Sequence, residues 1–281
     1  MQLSASDFAF IAAFIKREAA IVLAPGKEYL VQSRLAPVAR EGGMRGVNEL
    51  VYQLRQDPGP ELRQAVIDSL TTNETSWFRD GEPFSALSQT ILPGLLASRS
   101  VAKHLRIWSA GCASGQEPYS LAILLRDFLP AGWTFEIIAT DISAEMIRKA
   151  EAGLFTQVEV NRGLPAAMLV HHFERVGAHW SVSEELRRSV TFQRLNLAAP
   201  LPPLGLFDLV FLRNVLIYFD VETKAEVLHR VTGTLRPDGL LFLGSAETTI
   251  GIDEGFERVA VGRAAAYRMR TAVPAGAAGR V

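Results

Sequence analysis

The chain has 281 residues, 48% of them apolar, with 29 basic side chains against 30 acidic ones. That length fills one large domain or two unequal ones, and the positive mean hydropathy of +0.15 excludes a disordered chain. Near-zero net charge removes the global electrostatic case for a nucleic-acid partner, and a single cysteine, Cys112, excludes an intrachain disulfide and a cysteine-rich metal site.

From the N-terminus, Phe8, Ile11, Phe14, Ile15 and Ala19 form an apolar stripe at helical spacing, with Ser6 or Asp7 available as its cap. Further helices are expected over 28–36, where Pro37 should kink or end the element, over 48–56 and over 61–70. No alternation suggests a strand here, so residues 1–72 read as a small all-helical domain. From about residue 103 the pattern changes. Strands are expected at 105–109, 135–140, 190–195, 207–212 and 239–244, and helices at 116–129, 143–152 and 221–235. Alternation with short loops predicts an α/β domain around a doubly wound, mostly parallel sheet. Residues 256–261 and 265–269, around Gly262, read as a closing hairpin. Residues 153–189 interrupt the alternation as an insertion, and 272–281, rich in Ala, Gly and Pro, read as a flexible tail. No stretch approaches about 18 apolar residues and no signal-peptide pattern opens the chain, so a soluble cytoplasmic protein without membrane insertion is expected. His171 and His172 are neighbours whose side chains should diverge, and no metal is expected.

The most informative stretch is Trp-Ser-Ala-Gly-Cys-Ala-Ser-Gly-Gln-Glu-Pro-Tyr, residues 108–119. An apolar strand ends in a tight turn at Gly111, and an apolar helix follows. That geometry brings backbone close to a nucleotide-like ligand. Thirty residues on, a second apolar strand ends at Asp141, where a carboxylate can accept hydrogen bonds from ribose hydroxyls. The glycines do not follow G-x-G-x-x-G, which disfavours a dinucleotide. The looser pattern is similar to the S-adenosylmethionine turn of class I methyltransferases. Three further segments bear polar residues toward the same edge. In 72–79, Asn73 or Thr75 could cap a helix anchored by Trp77 and Phe78, while Asn73, Thr75 and Arg79 could converge on a carboxylate. In 194–197, Asn196 could meet an adenine edge or close an Asx-turn. The strand at 207–212 delivers Arg213 and Asn214, with Tyr218 one turn on.

Taken together, Asn-Glu-Thr-Ser-Trp-Phe-Arg (73–79), residues 108–120, Ala-Thr-Asp-Ile-Ser (139–143), Arg-Asn-Val-Leu-Ile-Tyr-Phe (213–219) and Gly-Ser-Ala-Glu (244–247) resemble the chemotaxis receptor glutamate O-methyltransferases, the CheR family. The resemblance spans nearly the whole chain. It implies a class I S-adenosylmethionine methyltransferase with a Rossmann-like, mostly parallel seven-stranded sheet over 73–271. It also implies an N-terminal helical domain and a small antiparallel β subdomain made by 153–189. By the same resemblance Asn73, Thr75 and Arg79 face the cofactor's methionine end, and Gly111 forms the cofactor turn. Glu117 and Asp141 face its amino group or ribose, Glu117 being preferred to Gln116, which stands where many members have glutamate. Asn196, Leu197, Asn214 and Val215 line the adenine and the sulfonium side. Arg79 and Tyr218, the catalytic pair, approach the substrate carboxylate. The implied partners are the cytoplasmic methylation helices of chemoreceptors, met by Arg34, Arg40 and Arg45. The short loop between Phe173 and Val182 resembles members that work independently of a receptor's C-terminal pentapeptide.

Methyl transfer to a glutamate needs few catalytic groups. A free carboxylate of pKa about 4.3 is already ionised at neutral pH, so no general base is required, in keeping with motifs that hold no Ser-His or Cys-His pair. A nucleic-acid N-methyltransferase is disfavoured because Asn214 is followed by Val-Leu-Ile-Tyr, with no prolines. The remaining alternative is a non-catalytic S-adenosylmethionine-binding sensor or scaffold of a chemosensory pathway.

Overall fold

The computed structural model describes residues 3–270, and the tail foreseen over 272–281 lies outside them. Helix α1 (Ala5–Ala19) begins earlier than its apolar stripe suggests. Its cap is Ser4, not Ser6 or Asp7: Ser4 Oγ accepts the Asp7 N–H at 3.1 Å, which leaves the Asp7 carboxylate in the first turn, where the helix dipole favours it. Helix α2 (Glu28–Glu41) does not end at Pro37 but continues past it. The proline deletes one helical hydrogen bond, but Val31, Leu35 and Ala39 lie buried on one stripe that spans it, and that packing outweighs the loss. Helices α3 (Val47–Arg55) and α4 (Pro60–Leu70) complete the unit around Ile11, Phe14, Ile15, Leu35, Leu50 and Val66.

Residues 71–80 form no helix, so neither Asn73 nor Thr75 is a cap. The segment is pinned instead by Trp77, whose ring is buried edge-on against Phe155 and Phe173 at 4.9 and 5.2 Å and whose backbone N–H donates to the Arg162 carbonyl at 3.0 Å. Three elements absent from the sequence reading follow: α5 (Glu82–Ala86), a π-helical stretch (Leu87–Ile91) and α6 (Leu92–Ser98). Pro83, Pro93 and Gly94 broke the helical pattern there.

The alternating region then unfolds as β1 (His104–Ala110), α7 (Gln116–Phe128), β2 (Thr134–Asp141) and α8 (Ala144–Ala152), the last capped by Ser143. The insertion contributes β3 (Leu154–Thr156), α9 (Gln157–Val160), α10 (Ala166–His172), β4 (Phe173–Val176), β5 (His179–Val182) and α11 (Glu184–Arg188). After it come β6 (Val190–Arg194), β7 (Phe207–Leu212), α12 (Val221–Thr232), β8 (Leu235–Leu243), β9 (Phe256–Val261) and β10 (Ala264–Met269). Helix α12 stops short of residue 235 because Leu235 already pairs with Phe207, which also starts β8 earlier than the expected 239.

Seven strands form one sheet in the order β6-β2-β1-β7-β8-β10-β9, parallel as far as β8, with β10 antiparallel to both neighbours. The insertion's strands make a separate antiparallel sheet, β3-β5-β4. Every residue of β7 is buried, as a strand covered on both faces requires. Its one charge, Asp208, is held by Arg99 at 2.7 Å and by the Arg106 N–H at 2.8 Å. Strand order reverses between β1 and β7. At such a switch point the two flanking crossovers diverge and open a crevice at the strands' carboxyl ends.

Candidate functional site

A partly open cleft occupies that crevice, the place where an open α/β sheet binds its ligand. Four loops leaving strand ends supply its walls, the 71–79 segment crosses it, and Ala19 and Ile21 at the end of α1 close one side. Every residue given a cofactor or substrate-carboxylate role lines it: Asn73, Thr75 and Arg79; Gly111 and Glu117; Asp141; Asn196 and Leu197; Asn214, Val215 and Tyr218. Gln116 does not. It is buried behind the turn, accepts from Ser114 Oγ at 2.8 Å and borders a different hollow.

Gly111 is at φ +80°, and a Cβ there would come within 2.3 Å of Val215 Cγ2. Only glycine allows β1's loop and the loop after β7 to approach this closely. Asp141 ends β2 at 7% exposure, one oxygen accepting the Ala113 N–H at 2.8 Å and the other the Ser143 N–H at 2.9 Å. Its remaining lone pairs can accept from hydroxyl donors. Burial pushes its carboxyl above the ordinary value, with those backbone hydrogen bonds opposing. Cys112 beside it is a buried thiol, raised well above its usual range by desolvation and therefore inert.

Glu117, in the first turn of α7, accepts from Ser109 Oγ at 2.8 Å and from Arg213 Nη1 at 3.0 Å. Desolvation raises its carboxyl, and Arg213 is the chief opposing influence. Arg213 is the residue whose weight the sequence understated. Its side chain is 1% exposed and bridges three segments, reaching Glu117, Asp80 Oδ2 at 2.6 Å and the Arg79 carbonyl at 2.9 Å. Its place at the end of β7 was legible; its partners, more than 90 residues away in sequence, were not. Arg79 Nη1 donates to the Glu74 carbonyl at 2.8 Å, which folds the side chain along the cleft wall.

Asn196 resolves in favour of the turn. Its Oδ1 accepts the Ala198 N–H at 3.0 Å and its Nδ2 donates to the Glu18 carbonyl at 2.8 Å, so both polar ends of the side chain are committed to protein partners. Tyr218 sits on the 3₁₀ turn Leu216–Tyr218, and its carbonyl accepts the Val22 N–H at 2.9 Å, tying the helical unit to the cleft's rim.

Residues 6–71 match the CheR methyltransferase all-alpha domain, and residues 73–264 match the CheR methyltransferase SAM binding domain. The chain belongs to the CheR methyltransferase family. It is 40% identical to chemotaxis protein methyltransferase 1 of Pseudomonas aeruginosa over 96% of this chain and 100% of that one. Identity is 37% to chemotaxis protein methyltransferase Cher2 of Pseudomonas putida, over 90% and 94% of the two chains, and 35% to the chemotaxis protein methyltransferase of Escherichia coli, over 91% and 89%. S-adenosylmethionine is the cofactor of the CheR SAM binding domain, and the cleft fits it: the close approach of Gly111 to Val215 shapes its wall, Asp141 keeps acceptor sites free, and two carboxylates offset a cationic ligand.

Two expectations fail away from the cleft. Arg34, one of three arginines offered as receptor-facing, is occupied: it donates to the Leu70 and Thr71 carbonyls at 2.9 and 3.1 Å and to Thr72 Oγ1, clamping the link between the CheR domains. Arg40 and Arg45 remain exposed. His171 and His172 do not diverge. Helix α10 ends at His172, the backbone turns extended at Phe173, and the rings meet edge-on at 4.6 Å with their donor atoms and Asp127's within 4.8 Å. Among the described residues no helix is long and apolar enough to cross a membrane.

Proposed function

We propose that this CheR protein transfers the methyl group of S-adenosylmethionine to glutamate side-chain carboxylates of chemoreceptors, giving glutamyl methyl esters. What carries the reading is the composition of the cleft at the sheet's switch point. Two carboxylates lie deep in it, Arg79 and Tyr218 lie on its wall, and among the described residues no histidine lines it. Such a site suits a nucleophile that arrives ionised.

When bound, the cofactor supplies an electrophilic methyl on a sulfonium. The chain's own groups then have three tasks. Asp141 accepts the ribose hydroxyls, and Glu117, steadied by Arg213, faces the methionine end together with Asn73 and Thr75. Leu197, Val215, Asn196 and Asn214 enclose the base and the sulfonium side. Arg79 and Tyr218 orient the incoming carboxylate in line with the methyl, and alignment of this kind can supply roughly 7–11 kcal/mol. No proton moves.

The role of Asp141 fixes a pH dependence. Only the ionised carboxylate accepts two hydroxyls, and its folded-state value lies above the ordinary one. Cofactor affinity therefore falls on acidification, starting above the usual carboxylate range, by about tenfold per pH unit once below that value. Calorimetry with S-adenosylhomocysteine from pH about 8 to 5 shows this fall in the wild type and a flatter, weaker profile in Asp141→Asn.

Receptor docking through Arg40 and Arg45 is part of the proposal, as is independence from a receptor's C-terminal pentapeptide. The β4–β5 hairpin of the insertion, turning through Gly177 and Ala178, is short. A tail pentapeptide is expected to show no micromolar binding by calorimetry; micromolar affinity contradicts the second point.

The reaction class is tested with cofactor labelled on the methyl group and membranes containing chemoreceptors. Label released by mild alkali identifies a carboxyl ester. Alkali-stable label overturns the reading, and cofactor binding without transfer supports the sensor alternative.

A further inference from the structure

The motif Gly-Ser-Ala-Glu, residues 244–247, matched the family yet supplies no residue to the cleft. Its glutamate is placed where the cleft's rim is made. Strands β7 and β8 end side by side, Leu212 against Leu243. Beyond β7 the chain turns sharply, with Asn214 at φ +60°. Beyond β8 it turns back so that the Glu247 side chain enters the gap. Glu247 Oε2 accepts the N–H groups of Asn214 and Gly244, both at 2.7 Å, and Oε1 accepts those of Val215 at 2.9 Å and Ile217 at 3.2 Å. Four backbone donors from two chain ends thus share one carboxylate. Gly244 is required by the same geometry, since a Cβ there would meet Glu247 Oε2 at 2.7 Å and the Asn214 nitrogen at 2.9 Å.

We infer that Glu247 is a positioning residue for methyl transfer, which holds the 214–218 segment in the conformation that presents Asn214, Val215 and Tyr218 to the cofactor and the carboxylate. The inference rests on the roles given to those three residues above. A carboxylate suits the task because both its oxygens accept and neither donates. An amide in its place turns an NH₂ toward two of the four N–H groups and leaves them without an acceptor.

Four variants test it: Glu247→Gln, Glu247→Asp, Tyr218→Phe and the double variant Glu247→Gln with Tyr218→Phe. At saturating cofactor and receptor, Glu247→Gln is expected to lower kcat at least tenfold and to weaken S-adenosylhomocysteine several-fold. Glu247→Asp keeps the carboxylate and recovers part of both losses. In the double variant the fall in kcat is smaller than the product of the single losses, because both act through one segment. Thermal melts and circular dichroism establish that each variant is folded at the assay temperature. Glu247→Gln within twofold of wild type in kcat and affinity overturns the inference. So do losses that multiply fully with those of Tyr218→Phe, or losses that only track the unfolded fraction. Should the wild type transfer no base-labile methyl, the reading of function fails while the affinity arm still decides this inference: unchanged S-adenosylhomocysteine binding in Glu247→Gln then refutes it.

Discussion

Arg213→Met destabilises the protein by about 3–5 kcal/mol and removes measurable cofactor binding. The first figure follows from what stays behind. Glu117 is 12% exposed and has Arg213 as its cationic partner at 3.0 Å, so the substitution strands a carboxylate in a poorly hydrated cleft. Breaking a buried ion pair from one side costs this much because the remaining charge is uncompensated. Asp80 and the Arg79 carbonyl lose their donor in the same step, which frees the turn that carries Arg79. For a chain of this length the fall in Tm is on the order of 10 °C. The companion variant, Arg213→Met with Glu117→Gln, removes both charges and recovers most of the stability but not the binding. A thermal melt of the two variants with and without S-adenosylhomocysteine checks both halves. Stability that stays lost in the double variant would show that the arginine acts by packing rather than by pairing.

Arg79→Ala has its largest effect on the chemical step. Its guanidinium lines the cleft, and among the described residues its one side-chain hydrogen bond is to a backbone carbonyl at 2.8 Å, so its remaining donors are free to meet a carboxylate. Charge-assisted hydrogen bonds of this kind are worth about 1.5–3 kcal/mol, or roughly 10–150-fold in single-turnover rate. Arg79→Lys recovers little, since an ammonium cannot offer the planar fork that aligns both carboxylate oxygens. A very tight grip would be counterproductive: negative charge on the oxygen falls as the ester forms, so a modest orienting contact serves the transition state better. Rapid-quench single turnovers at saturating receptor separate this from docking. An unchanged rate in Arg79→Ala would remove Arg79 from the reaction.

Much of this was written in local sequence. The turn after β1 announces itself through glycines bracketed by a strand period and a helix period, and Asp141 marks the end of the next strand in register. Local signals of this kind survive folding because backbone geometry enforces them. What local sequence does not carry is partnership across the chain. The pairing of Arg213 with Glu117 and Asp80 needs three segments brought together. The closeness of His171 and His172 depends on where α10 ends. The helices over 82–98 escaped notice because Pro83, Pro93 and Gly94 read as breakers, whereas Phe84, Leu87, Leu92 and Leu95 bury enough surface to hold them helical. Pro37 misled in the same way. At Asn196 the sequence left two roles open, and the choice was made by a carbonyl on α1, 178 residues away.

On this mechanism an already ionised glutamate takes the methyl without a base. Tandem mass spectrometry of a chemoreceptor cytoplasmic fragment, incubated with the protein and S-adenosylmethionine, tests it most directly. The expected result is a gain of one methylene mass on glutamate side chains, reversed by mild alkali and at least tenfold slower with Arg79→Ala. Methylation on lysine, arginine or a nucleobase, or unmodified glutamates alongside saturated cofactor binding, would contradict it.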